Sequence, residues 1–97
     1  MKLRIQKHAL RQIDRILSDI STVSPQGASR VEARISEIFI LIRQHSQAGK
    51  RTTIARVRRV FLTPYPYLID YFVGDDEIVV QRFRHAARNP VTIPGVS

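Results

Sequence analysis

The sequence predicts an α+β fold: a short N-terminal strand, then an antiparallel helix hairpin packed on one face of a small antiparallel sheet. Three observations predict it. Apolar residues recur at spacings of three and four through the first half of the chain, and at the strand period of two through the second. A Ser-Pro pair and a Gly-Asp-Asp turn then divide these stretches into elements of ordinary length. Helices first and a meander afterwards are segregated elements, which is the pattern of α+β. Ninety-seven residues make one domain, 1–97, with room for one modest core.

Lys2-Leu3-Arg4-Ile5 alternates and predicts a short strand. The helix hairpin spans about 8–45. Leu10, Ile13, Leu17 and Ile20 form the apolar stripe of its first helix, with Arg11, Asp14, Arg15, Ser18 and Asp19 around it. Ser24-Pro25 reads as an N-cap followed by proline at the first helical position, where the missing N–H costs nothing. Ala28, Val31, Ile35, Ile38 and Ile42 continue the stripe in a second helix to about His45. Matching stripes predict antiparallel pairing, with Leu17 and Ile35 in the seam and Phe39 and Ile40 off it. Gly49 stands just past the helix end.

The meander spans about 52–84. Thr52 to Leu62 is rich in β-branched residues, with Ala55, Val57, Arg59 and Phe61 alternating against Arg56, Arg58, Val60 and Leu62. Thr63-Pro64-Tyr65-Pro66 interrupts it, because proline cannot donate to a ladder. Tyr67 to Val73 is nearly continuous in apolar residues and predicts a central strand with Ile69 in the core. Gly74-Asp75-Asp76 turns the chain into the returning strand Glu77 to Arg84. Residues 85–97, with Pro90, Pro94 and Gly95, read as an extended tail. The second sheet face is left partly open, a candidate binding surface.

Composition narrows the function. Without cysteine there are no disulfides, thiolate chemistry or cysteine-held zinc, and with no His-x-His pair no metal site is expected; His8 and His45 look incidental. No apolar run reaches the ~20 residues of a membrane span, and Met1 to His8 lacks a signal-peptide apolar core, so the expected compartment is the cytoplasm. Sixteen basic residues, thirteen of them arginine, against eight acidic ones give a net charge of +8. Arginine's planar fork suits carboxylate and phosphate, so the expected partner is acidic, whether protein or nucleic acid.

The run Thr63-Pro64-Tyr65-Pro66-Tyr67-Leu68-Ile69-Asp70-Tyr71, followed by a hairpin and then Arg82-Phe83-Arg84-His85-Ala86-Ala87-Arg88-Asn89-Pro90, resembles the ParE branch of the RelE/ParE toxins. Arg82, His85, Ala87, Arg88 and Pro90 match the closing motif of that branch, whereas Ala86 stands where glycine and Asn89 where aspartate is usual. The resemblance implies a toxin of a type II toxin–antitoxin module, neutralised by a ParD-like antitoxin with an acidic segment. It further implies growth inhibition through DNA gyrase, without enzymatic activity, cofactor or sequence-specific nucleic-acid binding. The RelE branch, made of ribosome-dependent mRNA endonucleases, is the alternative, and a plain basic nucleic-acid-binding module is a second.

Side chains weigh these readings. Cleaving RNA through its 2′-hydroxyl needs a base, an acid and cations on the phosphate. His85 is the one evident proton shuttle at neutral pH, with Arg82 and Arg58 as candidate cations. The RelE branch carries paired lysines on its middle strands and a tyrosine in its closing segment. This chain has no lysine after Lys50 and no tyrosine after Tyr71. For a binder, the candidate target contacts are Arg82, Arg84, His85 and Arg88. The candidate antitoxin contacts are Phe39, Ile40, Arg56, Arg58 and Arg59. Plainer roles stand beside these: Tyr65, Tyr67 and Tyr71 as packing, His85 as a hydrogen-bonded strand end, and Arg88 as a solvated tail residue.

Overall fold

A computed structural model describes residues 1–87; the closing-motif residues Arg88, Asn89 and Pro90, and most of the expected tail, lie outside the described residues. The element order is β1 (Lys2–Ile5), α1 (Lys7–Val23), α2 (Pro25–Gln44), β2 (Lys50–Arg51), β3 (Val57–Phe61), β4 (Tyr67–Val73) and β5 (Glu77–His85). These strands form one sheet in the order β1-β5-β4-β3-β2, so β4 is central as its apolar run predicts. The α+β class is as expected, and the meander is antiparallel throughout; the sheet becomes mixed only where β1 pairs parallel to β5. A strand followed by two helices re-enters the sheet far from its start, and such a crossover permits parallel pairing.

The hairpin turns on one residue. Ser24 ends α1 and caps α2, its hydroxyl accepting the Gly27 N–H at 2.9 Å. On α2 the stripe is as expected at Val31, Ile35, Ile38 and Ile42, all buried, while Ala28 is half-buried. On α1 it is rotated. Ala9 and Ile13 are buried, Ile16, Leu17 and Ile20 pack half-buried against the core, and Leu10 is 46% exposed. Ala9 rather than Leu10 faces the core, which leaves Leu10 at the rim.

The expected strand from Thr52 is also corrected. Thr52, Thr53 and Ile54 have strand propensity, but the chain forms a loop between β2 and β3. The Thr52 hydroxyl donates to the Val57 carbonyl at 2.9 Å and accepts the Ile54 N–H at 3.2 Å, closing backbone groups locally that a ladder would otherwise use. Arg56 completes the loop in the left-handed region, at φ 64°.

Two long-range locks hold the sheet to the helices. The first is Tyr71, fully buried on β4. Its hydroxyl donates to the Ser46 carbonyl at 2.8 Å and accepts the Gly49 N–H at 2.8 Å. Gly49 is therefore not a helix cap, as its position suggests; α2 ends at Gln44, and a Cβ on Gly49 would stand 2.8 Å from both the Tyr71 oxygen and the Arg59 carbonyl oxygen. The second is a bulge in β5. Asp70 pairs with Arg82 but Tyr71 with Val80, so Gln81 is an extra residue. The Phe83 N–H is taken by the Gln12 side chain of α1 at 2.9 Å. The bulge shifts the alternation, sending Ile78, Val80, Phe83 and His85 to the helix face and Val79, Arg82 and Arg84 to the other.

Ile35 and Ile69 are buried and Leu17 half-buried, so Ile35→Ala and Ile69→Ala should each cost about 2–5 kcal/mol in a denaturant melt, and Leu17→Ala about 1–2. Tyr71→Phe should cost about 1–3 kcal/mol, since it strands two backbone groups. Burial raises the Tyr71 pKa above the usual tyrosine value, with the Gly49 hydrogen bond and the Arg58 charge opposing. A raised folded value means stability fully present below about pH 10 and lost as pH rises through it. Alkaline titration of stability should therefore fall less steeply in Tyr71→Phe than in the parent.

Candidate functional site

The register sorts the cations of the sheet onto two faces. The face away from the helices carries Val57, Arg59 and Phe61 from β3, Leu68, Asp70 and Phe72 from β4, and Val79, Arg82 and Arg84 from β5. It is less open than the sequence suggests. Leu68, Asp70 and Val79 at its centre are buried, and exposure is confined to its rim, with Phe61 at 42%.

One lateral row crosses this face. Lys50 lies beside Arg59, Arg59 beside Asp70, and Asp70 beside Arg82, spanning three strand spacings or about 14 Å. In its middle, Asp70 is only 5% exposed and takes a bidentate pair from Arg59, Nε at 2.7 Å and Nη2 at 3.1 Å. That hydrogen bonding raises the Arg59 pKa further, with burial opposing and the Asp70 charge assisting. At the ends of the row, Lys50 and Arg82 are exposed and make no ion pair among the described residues. Arg84 is half-buried one row on, and its pKa is lowered by desolvation and by the charges of Arg59 and Arg82, with Asp70 opposing. The row thus holds three cations against one carboxylate, a surface suited to an acidic partner.

His85 stands on the opposite face. Its ring meets Tyr67 edge-on at 5.5 Å, and its Nδ1 accepts the Ala87 N–H at 3.1 Å, the strand-end role named among the plainer readings. Arg58 is on the helix face too, donating from Nη1 to the Gly49 carbonyl at 2.8 Å and to that of Gln47 at 3.3 Å. Arg58 pairs with Tyr71 and His85 with Tyr67, which puts their backbones about 16 Å apart by strand geometry. Arg82 projects from the other side of the sheet. The structure does not bring His85, Arg82 and Arg58 together.

The candidate antitoxin contacts also divide. Ile40 is 56% exposed on α2, whereas Phe39 packs half-buried against the core and is not a free surface residue. Arg56 lies in the loop at 52–56 and Arg58 lines the same pocket, while Arg59 belongs to the row on the far face. Sequence reasoning missed Asp70 as the acid holding Arg59, and it missed Arg51, which borders the same loop as Arg56 and Arg58. The signal for Asp70 was present: one acid inside a continuous apolar strand demands a buried cation. Among the described residues no three His, Asp or Glu cluster as metal ligands, and no helix is long and apolar enough to cross a membrane.

Comparison with known proteins places this architecture. A family model described as the ParE toxin of the type II toxin–antitoxin system parDE matches residues 3–90. The chain is 32% identical over 80 residues to Toxin RelE2 of Caulobacter vibrioides, covering 82% of this chain and 89% of that one. It is 31% identical over 85 residues to the putative toxin Y4kP of Sinorhizobium fredii, covering 87% and 88%. Among solved structures, a chain of the chromosomal ParDE system of P. aeruginosa superposes with a TM-score of 0.76 at 23% identity, covering 88% of this chain and 95% of that one. A copper-bound mutant toxin from Helicobacter pylori superposes with a TM-score of 0.64 at 17% identity, covering 90% and 96%. At those identities the structures bear on the fold alone, while the family match spans nearly the whole chain. The chain belongs to the RelE/ParE superfamily and is the toxin of a type II toxin–antitoxin module.

Proposed function

We propose that the chain is a toxin of the ParE kind, which arrests growth in the cytoplasm by binding DNA gyrase and performs no chemistry of its own. The observation that carries this reading is the separation of catalytic parts. The one histidine of the closing segment lies on the helix face with Nδ1 engaged, and the exposed Arg82 lies on the other. A phosphate held at Arg82 is out of reach of a proton on His85, and general acid–base catalysis needs direct contact or one intervening water. A binder has no such requirement. Arg82 and Arg84 beside the Arg59–Asp70 pair offer a pre-organised basic surface for an acidic patch of the target, with Arg88 as a further contact from the closing motif. The match to the ParE family model supports the same branch.

The RelE-like reading, a ribosome-dependent mRNA endonuclease, is favoured by one observation, the 32% identity to the Caulobacter toxin named RelE2. It requires His85, Arg82 and Arg58 to act from two faces of the sheet and over a long span, which weighs against it.

The two readings diverge on substitution. Arg82→Ala should weaken toxicity in graded fashion, by the loss of about 1–3 kcal/mol of charge-assisted hydrogen bonding to the target. His85→Gln should leave toxicity within a few-fold, whereas in a nuclease it should cut cleavage by about 10²-fold or more. Cells expressing the parent chain should filament and induce the DNA-damage response while translation continues. Immediate translation arrest with mRNA cleaved on the ribosome, abolished by His85→Gln, would reject the gyrase reading.

A further inference from the structure

At the β2 edge of the sheet the loop between β2 and β3 encloses a pocket of about 490 Å³, within the range of small-ligand and side-chain sites. Arg51, Arg56 and Arg58 line it, and among the described residues no Asp or Glu does. Ile54, exposed to 63%, forms an apolar part of the same wall. Cations and an exposed branched side chain in one wall suit a peptide that presents a carboxylate next to an apolar residue.

The three arginines are in different states. Arg58 is fixed, its Nη1 shared between the Gly49 and Gln47 carbonyls. Arg56 is held in the left-handed region with its guanidinium 5.6 Å above the Phe72 ring, and it donates to Asp75 at 2.8 Å. The Asp75 side chain is 92% exposed, and an ion pair so open to water contributes little, so an incoming carboxylate exchanges with Asp75 at small cost. Arg51 is exposed and has no ion pair among the described residues. One arginine is thus locked, one carries a replaceable acid and one has none.

We infer that this pocket is a subsite for the antitoxin, receiving a carboxylate at Arg51 and Arg56 and an apolar neighbour against Ile54, and that it is separate from the target surface at Arg82 and Arg84. The inference rests on the reading of the chain as a toxin whose target docks on the far sheet face. Charge complementarity selects the occupant, since a chain of net charge +8 presents here a wall with three arginines, against which stands one acid, the exposed Asp75 on Arg56. The antitoxin would then be bound at the β2 edge, which leaves Arg82 and Arg84 on β5 uncontacted at this subsite, and neutralisation and toxicity become separable by mutation.

The test uses the full chain and its purified cognate antitoxin. Arg51→Glu, with a thermal melt matching the parent, should keep full toxicity when expressed alone. Its affinity for the antitoxin by calorimetry should fall about 10- to 100-fold, with a shallower salt dependence, and antitoxin levels that rescue the parent should no longer rescue it. Arg56→Glu provides a second variant with the same expected direction, and Arg82→Ala should keep its antitoxin affinity. Affinity within twofold of the parent in folded Arg51→Glu and Arg56→Glu overturns the proposal. So does loss of toxicity in these variants with antitoxin affinity intact, or binding of a short single-stranded RNA that Arg51→Glu abolishes while antitoxin affinity holds. A parent chain that is not toxic, with the affinity loss still present, supports the subsite and overturns the target reading instead.

Discussion

The arrangement of this small protein hangs on the hydroxyl of Tyr71. It lies fully buried in the central strand, and burying a hydroxyl without partners is costly. The two partners it finds, the Ser46 carbonyl and the Gly49 N–H, both belong to the segment leaving α2. That segment is drawn down onto the sheet edge, where Gly49, lacking a Cβ, admits the ring and the Arg59 carbonyl together. The short β2 strand follows directly, and the Gly49 carbonyl becomes an acceptor for Arg58. One buried polar contact therefore ties the helix hairpin to the meander and positions the arginine loop beside it.

A second constraint acts on the other side of the central strand. Asp70 next to Tyr71 is buried toward the far face and is neutralised by Arg59 from the adjacent strand. A buried ion pair adds little net stability but penalises any register in which either partner is alone. Together the two residues hold successive positions of β4 to opposite faces, one through a hydroxyl and one through a carboxylate. Alternation alone already favours this register; the polar partners make the competing one-residue slip unfavourable.

The register also sorts the basic residues into separate groups. Basic residues that look alike along the chain end in different settings, among them the lateral row through Arg59 and Arg82, the loop pocket of Arg51, Arg56 and Arg58, and isolated pairs such as Arg4 with Glu77. Toxins of this superfamily must both engage a target and be silenced by a partner. The loop arginines stand at the β2–β3 edge and Arg82 and Arg84 on β5, so two groups of arginines lie apart across the sheet, a physical basis on which those contacts need not coincide.

Much of the fold was legible in the residues taken in order. The α2 stripe at Val31, Ile35, Ile38 and Ile42, the Ser24-Pro25 cap, the central apolar strand and the Gly-Asp-Asp hairpin are local patterns, set by side-chain periodicity and turn chemistry, and they needed no tertiary information. The closing motif carried the superfamily as well. What the sequence by itself left undetermined depends on contacts between distant residues. The parallel pairing of β1 follows from where the hairpin returns the chain, and the loop at 52–56 from Thr52 satisfying backbone groups that propensity assigns to a strand. Above all, the faces of Arg82, Arg84 and His85 are decided by the β5 bulge, which Gln12 stabilises from α1, seventy-one residues away in the chain. A strand alternates with period two only while its ladder is regular, so one inserted residue reverses every side chain after it. No reading of β5 alone contains the partner strand and the helix against which that residue is inserted.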